Sequence, residues 1–195
     1  VYRQQALADG THWKLGIDAG CLGPCAGGEW TQTQLHQLIG QQSPQGWDSQ
    51  IRNELGAVLY GEIAPVRWQF GSAVDLAPTL QARFGNVFTD AGVSMMLRAG
   101  QLNALPDQPT LHAFVRTEVR AVGYNATLQG GYFSNDNVHT VDPKRLVGEL
   151  EIGAAWKSTT WNISASVVRR SNEIEALPNQ TGRQDFVRLL FSHAL

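Results

Sequence analysis

Side chains along this chain switch between apolar and polar at nearly every step. Trp13, Leu15, Ile17, Ala19 and Cys21 alternate with Lys14, Gly16, Asp18 and Gly20. Val66, Trp68, Phe70, Val74 and Leu76 alternate with Arg67, Gln69, Gly71 and Asp75. Leu111, Ala113, Val115, Val119 and Ala121 oppose His112, Arg116, Glu118 and Arg120. Leu150, Ile152 and Trp156 turn away from Glu149, Glu151 and Lys157, as Val187, Leu189 and Phe191 do from Arg188 and Ser192. A period of two marks a β-strand with two unlike faces. The pattern predicts strands near 12–22, 49–61, 66–84, 87–100, 111–126, 145–157, 160–171 and 184–194. Residues 1–5 read as the tail of an earlier strand and 6–11 as its turn. Several of these strands exceed the five or six residues usual in soluble sheets. They reach the roughly nine to eleven that cross a bilayer at a tilt. The expected fold is all-β: an antiparallel transmembrane β-barrel, with about eight strands in this chain and one domain over 1–195. A water-soluble sandwich would show the same alternation, and strand length favours the barrel.

The connections carry a second rhythm. Those near 23–48, 127–144 and 172–183 are long, and those near 62–65 and 158–159 are short. Outer-membrane barrels have long external loops and short periplasmic turns. Any chemistry on the long loops is therefore expected outside the cell. One segment breaks the period of two. Over 28–40, Trp30, Leu35, Leu38 and Ile39 recur at near-helical spacing, and Gly40 is a natural stop. This predicts a short helix in an external loop, placed to cover or complete a site.

Composition narrows the classes. Charged residues are 16% of the chain, against about 25% in soluble domains. Net charge is -2, which argues against nucleic acid as a partner. No apolar run approaches the roughly 18 residues of a membrane helix. The opening Val1, Tyr2, Arg3, Gln4 has none of the features of a secretion signal, so the chain reads as a mature or truncated product. Cys21 and Cys25 lie four apart with no zinc-ligand set beside them. A disulfide and two inert thiols both remain open. Arg67, Arg83, Arg116, Glu118 and Arg120 fall on polar faces and predict a charge network filling a narrow barrel. Trp13, Trp68, Trp156 and Trp161 fall near strand ends and predict aromatic belts at the two interfaces. Pro78, inside a strand, predicts a bulge, an edge or a boundary.

Candidate chemistry gathers on the helix. Glu29, Gln32 and His36 stand at i, i+3 and i+7, on one face. Histidine takes a proton near neutral pH, and a neighbouring amide or carboxylate can fix its tautomer. A lone helical histidine is more often a surface residue, so spacing alone does not decide. Asn53 and Glu54 open the next strand and are candidates for substrate binding, with support of His36, a bound cation and structural hydrogen bonding as the alternatives. Lys144 and Arg145, on a long loop, are candidates for anionic headgroups.

Order along the chain adds a resemblance. Gly23-Pro24, Gly28-Glu29, Gln32, His36, Leu38-Ile39-Gly40, Pro44, Gly46-Trp47-Asp48, Gln50 and Asn53-Glu54 carry it first. It continues in Gly85-Asn86-Val87-Phe88-Thr89, Arg120-Ala121-Val122, Tyr124-Asn125, Val141-Asp142, Lys144 and the run from Leu146 to Leu150. These residues resemble the lipid A 3'-O-deacylase family of outer-membrane barrels. The resemblance implies a twelve-stranded, monomeric barrel among membrane lipids, removing the 3'-linked acyloxyacyl chain from lipid A of lipopolysaccharide. It implies hydrolysis by water, with His36 as base and Gln32 and Glu29 beside it. It also implies a calcium ion (Ca2+) at the oxyanion, with ligands and an Asn-Asp pair on strands that would precede Val1. On that reading the barrel is incomplete at its N-terminal side. The competing expectations are a barrel without catalysis, serving structure or adhesion, and a soluble glycan-binding sandwich.

Overall fold

The computed structural model of the chain describes residues 1–7, 10–102, 108–134 and 140–193. Its strands are β1 (Tyr2–Ala6), β2 (His12–Leu22), β3 (Glu54–Ala64), β4 (Trp68–Phe70), β5 (Val74–Gly85), β6 (Phe88–Gly100), β7 (Thr110–Asn125), β8 (Leu146–Lys157), β9 (Trp161–Arg170) and β10 (Gln184–His193). They form one antiparallel sheet in the order β1-β2-β3-β5-β6-β7-β8-β9-β10, with β4 also paired to β5. Helix α1 (Gly28–Leu38) lies between β2 and β3, and the single turn α2 (Ala126–Gln129) follows β7. Parts of the expected 6–11 turn and 127–144 loop, and the end of the strand expected to reach 194, lie outside the described residues.

Most expected strands appear within a residue or two of their expected bounds. Two readings change. The strand expected from 49 starts at Glu54, because Trp47–Ser49 is a 3-10 turn. The single strand expected over 66–84 is a hairpin, β4 and β5, folded at Gly71 with φ 72°. The alternation runs through that turn unbroken because the paired residues Phe70 and Val74 are an even number apart. The described residues thus form ten strands: the expected long ones together with β1 and β4. On β5, pairing with β3 ends at Leu80 and pairing with β4 begins at Leu76. Pro78, which has no N–H to give, sits in that lapse.

A single sheet with no covering layer buries side chains only by curling on itself. The face it buries is rich in charge, with Val58, Ala77, Phe114, Val147 and Val168 packed between the charged groups. Asp75, Asp90, Glu118 and Glu151 are all buried. Each meets arginine. Asp75 accepts from Arg67 at 3.0 Å and Arg98 at 2.9 Å, and Asp90 from Arg83 at 3.0 Å. Glu118 accepts from Arg120 at 3.0 Å and from Arg116. Glu151 accepts from Arg188 at 2.8 Å and Ser166 at 2.6 Å. This is the expected interior charge network, and pairing is what makes buried carboxylates tolerable. The other face is apolar and uncovered. Leu55, Leu59, Phe84, Val93, Val119, Ile152, Val167 and Leu189 are all exposed on it. Soluble monomers keep such patches to about a few hundred Å². A wall of this kind on every long strand is suited to lipid.

The four tryptophans correct one expectation. Trp13 is second in β2, Trp68 begins β4, Trp156 is next to last in β8, and Trp161 begins β9. In an up-and-down sheet those positions all lie at the end of the short turns. They make one belt, not two, because each lies beside a tight or short connection on the same rim.

Candidate active site

At the opposite end stand the long connections, and the longest, 23–53, carries α1. Its base is fastened several times over. Cys21, at the end of β2, is disulfide-bonded to Cys25, with Cα atoms 5.9 Å apart. The Cys25 N–H donates to Asn53 Oδ1 at 2.7 Å. Gly23 has φ 85°, and a Cβ there would strike the backbone of Ile51 and Arg52. Trp47 packs over Gly28 at the helix start. The two flanks of the loop are thus held together, and the disulfide left open by the sequence is formed.

The helix ends in a Schellman motif. The Gln41 N–H donates to the His36 carbonyl at 2.8 Å, and the Gly40 N–H to the Gln37 carbonyl at 3.4 Å. Gly40 supplies the left-handed residue, φ 68°, that this cap requires. The cap turns the chain back across the last helical turn, and the Gln42 carbonyl meets His36 Nδ1 at 2.6 Å. A carbonyl can only accept. Nδ1 must therefore carry the hydrogen, and in the neutral ring Nε2 keeps its lone pair. An amide or carboxylate was expected to set the tautomer; a backbone carbonyl does it. Gln32 lies one helical turn before His36 and Glu29 two turns before, both exposed. The helix buries none of its residues, and Trp30, Leu35 and Leu38 stand exposed.

Asn53 and Glu54 are structural ties in this geometry. Glu54 is buried. Its carboxylate accepts from the N–H groups of Tyr132 at 2.9 Å and Phe133 at 3.1 Å, and from Asn86 Nδ2 at 3.1 Å. It thereby pins the segment after α2 to the start of β3. Tyr124 adds a bond from its hydroxyl to the Gly130 carbonyl at 2.6 Å. Lys144 and Arg145 lie on the β7–β8 connection, several strands from α1 in the sheet order. Arg145 donates to the Gly123 carbonyl at 2.8 Å, and Lys144 to Asn179.

The family model described as "Outer membrane protein LpxR" matches residues 2–195. The chain belongs to the LpxR family. Among solved structures it is similar to LpxR from Salmonella typhimurium, with a TM-score of 0.83 and 22% identity. That match covers 98% of this chain and 70% of the other. At that identity the likeness speaks for the barrel fold. Comparison with curated proteins finds no match. Membership in the LpxR family makes this an outer-membrane protein, in keeping with its apolar outer wall.

Among the described residues of this LpxR-family chain, no three His, Cys, Asp or Glu side chains gather as ligands for a cation. No chemical step is routed through the calcium implied by the resemblance. Sequence reasoning missed Gln42, because its role is played by a backbone carbonyl. It named Asn86 within the resemblance but missed its role, in which Asn86 bonds Glu54 and the backbone of Leu55 and Ala57. The signal for Asn86 was present in the tight Gly85-Asn86 turn.

Proposed function

We propose that this protein hydrolyses the 3'-linked acyloxyacyl ester of lipid A in the outer leaflet, with His36 as general base. In this reading the long-loop end faces outside, which brings α1 level with the lipid headgroups. Nε2 of His36 takes a proton from water as the water oxygen bonds to the ester carbonyl carbon. The resulting tetrahedral intermediate expels the sugar alkoxide, which recovers the proton from the imidazolium. The products are a free fatty acid and a hydroxyl on lipid A. The side-chain amide of Gln32, one turn away on the same face, orients the ester. Glu29 adds negative charge that favours the transient imidazolium. Asn53 and Glu54 serve the substrate surface by holding the helix base and its neighbouring loop in place. The observation that carries this reading is the bond from Nδ1 to the Gln42 carbonyl, which leaves the lone pair on Nε2.

The test is the mass of lipid A from membranes containing the full-length protein. The wild type is expected to remove the acyl group. His36→Ala should slow removal by about 10²–10⁴-fold, the usual worth of general-base catalysis. Gly40→Val, which strains the cap that presents the Gln42 carbonyl, should lower the rate without unfolding the barrel. Equal deacylation by wild type and His36→Ala would remove His36 from the mechanism. Unaltered lipid A with the wild type would favour the non-catalytic barrel.

A further inference from the structure

On the outer wall, the long-loop ends of β8 and β9 border a groove of about 650 Å³. Lys144, Arg169 and Arg183 stand around it, and Leu146, Gly148 and Leu150 line it. Leu150 and Arg169 are direct partners across the two strands. Deeper along the wall, in the same outward register, follow Ile152 and its partner Val167, both exposed. The groove is open because position 148 has no side chain. A Cβ there would meet only the Glu118 carbonyl, at 3.9 Å. Among the charged groups, Arg169 and Arg183 share a single carboxylate, Asp185, at 2.8 and 3.4 Å. Lys144 is bonded to the neutral amide of Asn179. Glu118 and Glu149 also border the groove, but Glu118 is paired with Arg116 and Arg120 and Glu149 with Arg170 and Arg188. Positive charge is therefore in surplus at the rim, and apolar surface runs away from it into the membrane span.

We propose that this groove holds a lipid of the surrounding leaflet whose phosphate-bearing headgroup is net anionic. Its phosphate lies against Lys144, Arg169 and Arg183, and one acyl chain runs along Leu146, Leu150 and Ile152. The distribution of charge matches such a lipid end for end. Arginine forks fit phosphate oxygens well, and basic side chains at a membrane surface favour anionic headgroups. A free phosphate ion would use the rim and leave the apolar floor idle. The groove is distinct from the α1 region, since β3, β5, β6 and β7 separate β2 from β8 in the sheet. The inference rests on the outer wall facing lipid and is independent of whether His36 hydrolyses anything.

The experiment uses full-length protein in phosphatidylcholine nanodiscs containing a minority of phosphatidylglycerol. Native mass spectrometry reads which lipids stay bound. The wild type should retain phosphatidylglycerol over phosphatidylcholine by about tenfold. The triple variant Lys144→Ala, Arg169→Ala, Arg183→Ala should lose that preference. Gly148→Leu, which fills the groove and leaves the cations in place, should also shed the lipid while the barrel keeps its heat-shifted gel mobility. If the triple variant fails to assemble, Gly148→Leu decides alone. Equal retention of both lipids by the wild type would overturn the proposal. So would unchanged retention by Gly148→Leu, or displacement of the lipid by inorganic phosphate. Lipid A hydrolysis measured on the same preparations reports on His36 and leaves the groove untouched.

Discussion

Glu54 shows how much one side chain can organise at the long-loop end. It is a buried carboxylate whose nearest partners are two backbone N–H groups and the Asn86 amide rather than a cation. Replacing it with alanine takes away the acceptor those donors share, and hydrogen bonds to a charged group contribute about 1.5–3 kcal/mol. Glu54→Ala is therefore expected to free the segment around 130–134 while the sheet stays intact. Hydrogen exchange at Tyr132 and Phe133 should accelerate strongly, with β7 protection unchanged. Slow exchange in the variant would show that other contacts hold the segment. The sequence singled out Glu54 and left structural hydrogen bonding open beside substrate binding, but it could not reveal the partners. Its main partners are backbone groups 78 and 79 residues away, and backbone donors leave no trace in residue identity. His36 was legible by type and spacing, whereas the carbonyl that sets its tautomer was not, for the same reason.

Among the elements, the strands were the most readable because lipid outside and charge inside impose opposite demands on neighbouring positions. The 66–84 segment shows the limit of that signal, since parity survives a tight turn and conceals it. Helix α1 was readable from its different period and from Gly40. Its fastening was not, since a spacing of four between cysteines fits a bond as well as two thiols. The bond closes a very short loop, and such closures contribute about 2 kcal/mol through chain entropy. Cys21→Ser with Cys25→Ser should leave barrel assembly unchanged and loosen α1. Limited proteolysis would then cut within 23–53 sooner than in the wild type, and deacylation should fall in parallel. Unchanged cutting would mean that Asn53, Gly23 and Trp47 hold the helix base without the disulfide.

At the scale of the molecule, the sheet is inside out relative to a soluble protein. Val93 and Ser94 are neighbours near the middle of β6, yet Val93 is 49% exposed and Ser94 5%. On a soluble surface, Val93→Arg would be close to neutral, within about 0.5 kcal/mol. In a bilayer, arginine near mid-depth costs about 2–4 kcal/mol. Folding titrations of the variant into lipid vesicles should show that larger penalty, and a near-neutral result would mean that this wall does not meet hydrocarbon. The tryptophan rim adds a mechanical consequence. Indole rings prefer the interfacial zone, so four of them at one end moor the barrel by its short-turn side. When the surrounding bilayer thickens or thins, the mismatch is then taken up at the far end. Helix α1 would ride lower or higher among the sugars and acyl chains of its leaflet, and membrane thickness becomes a dial on what His36 can reach.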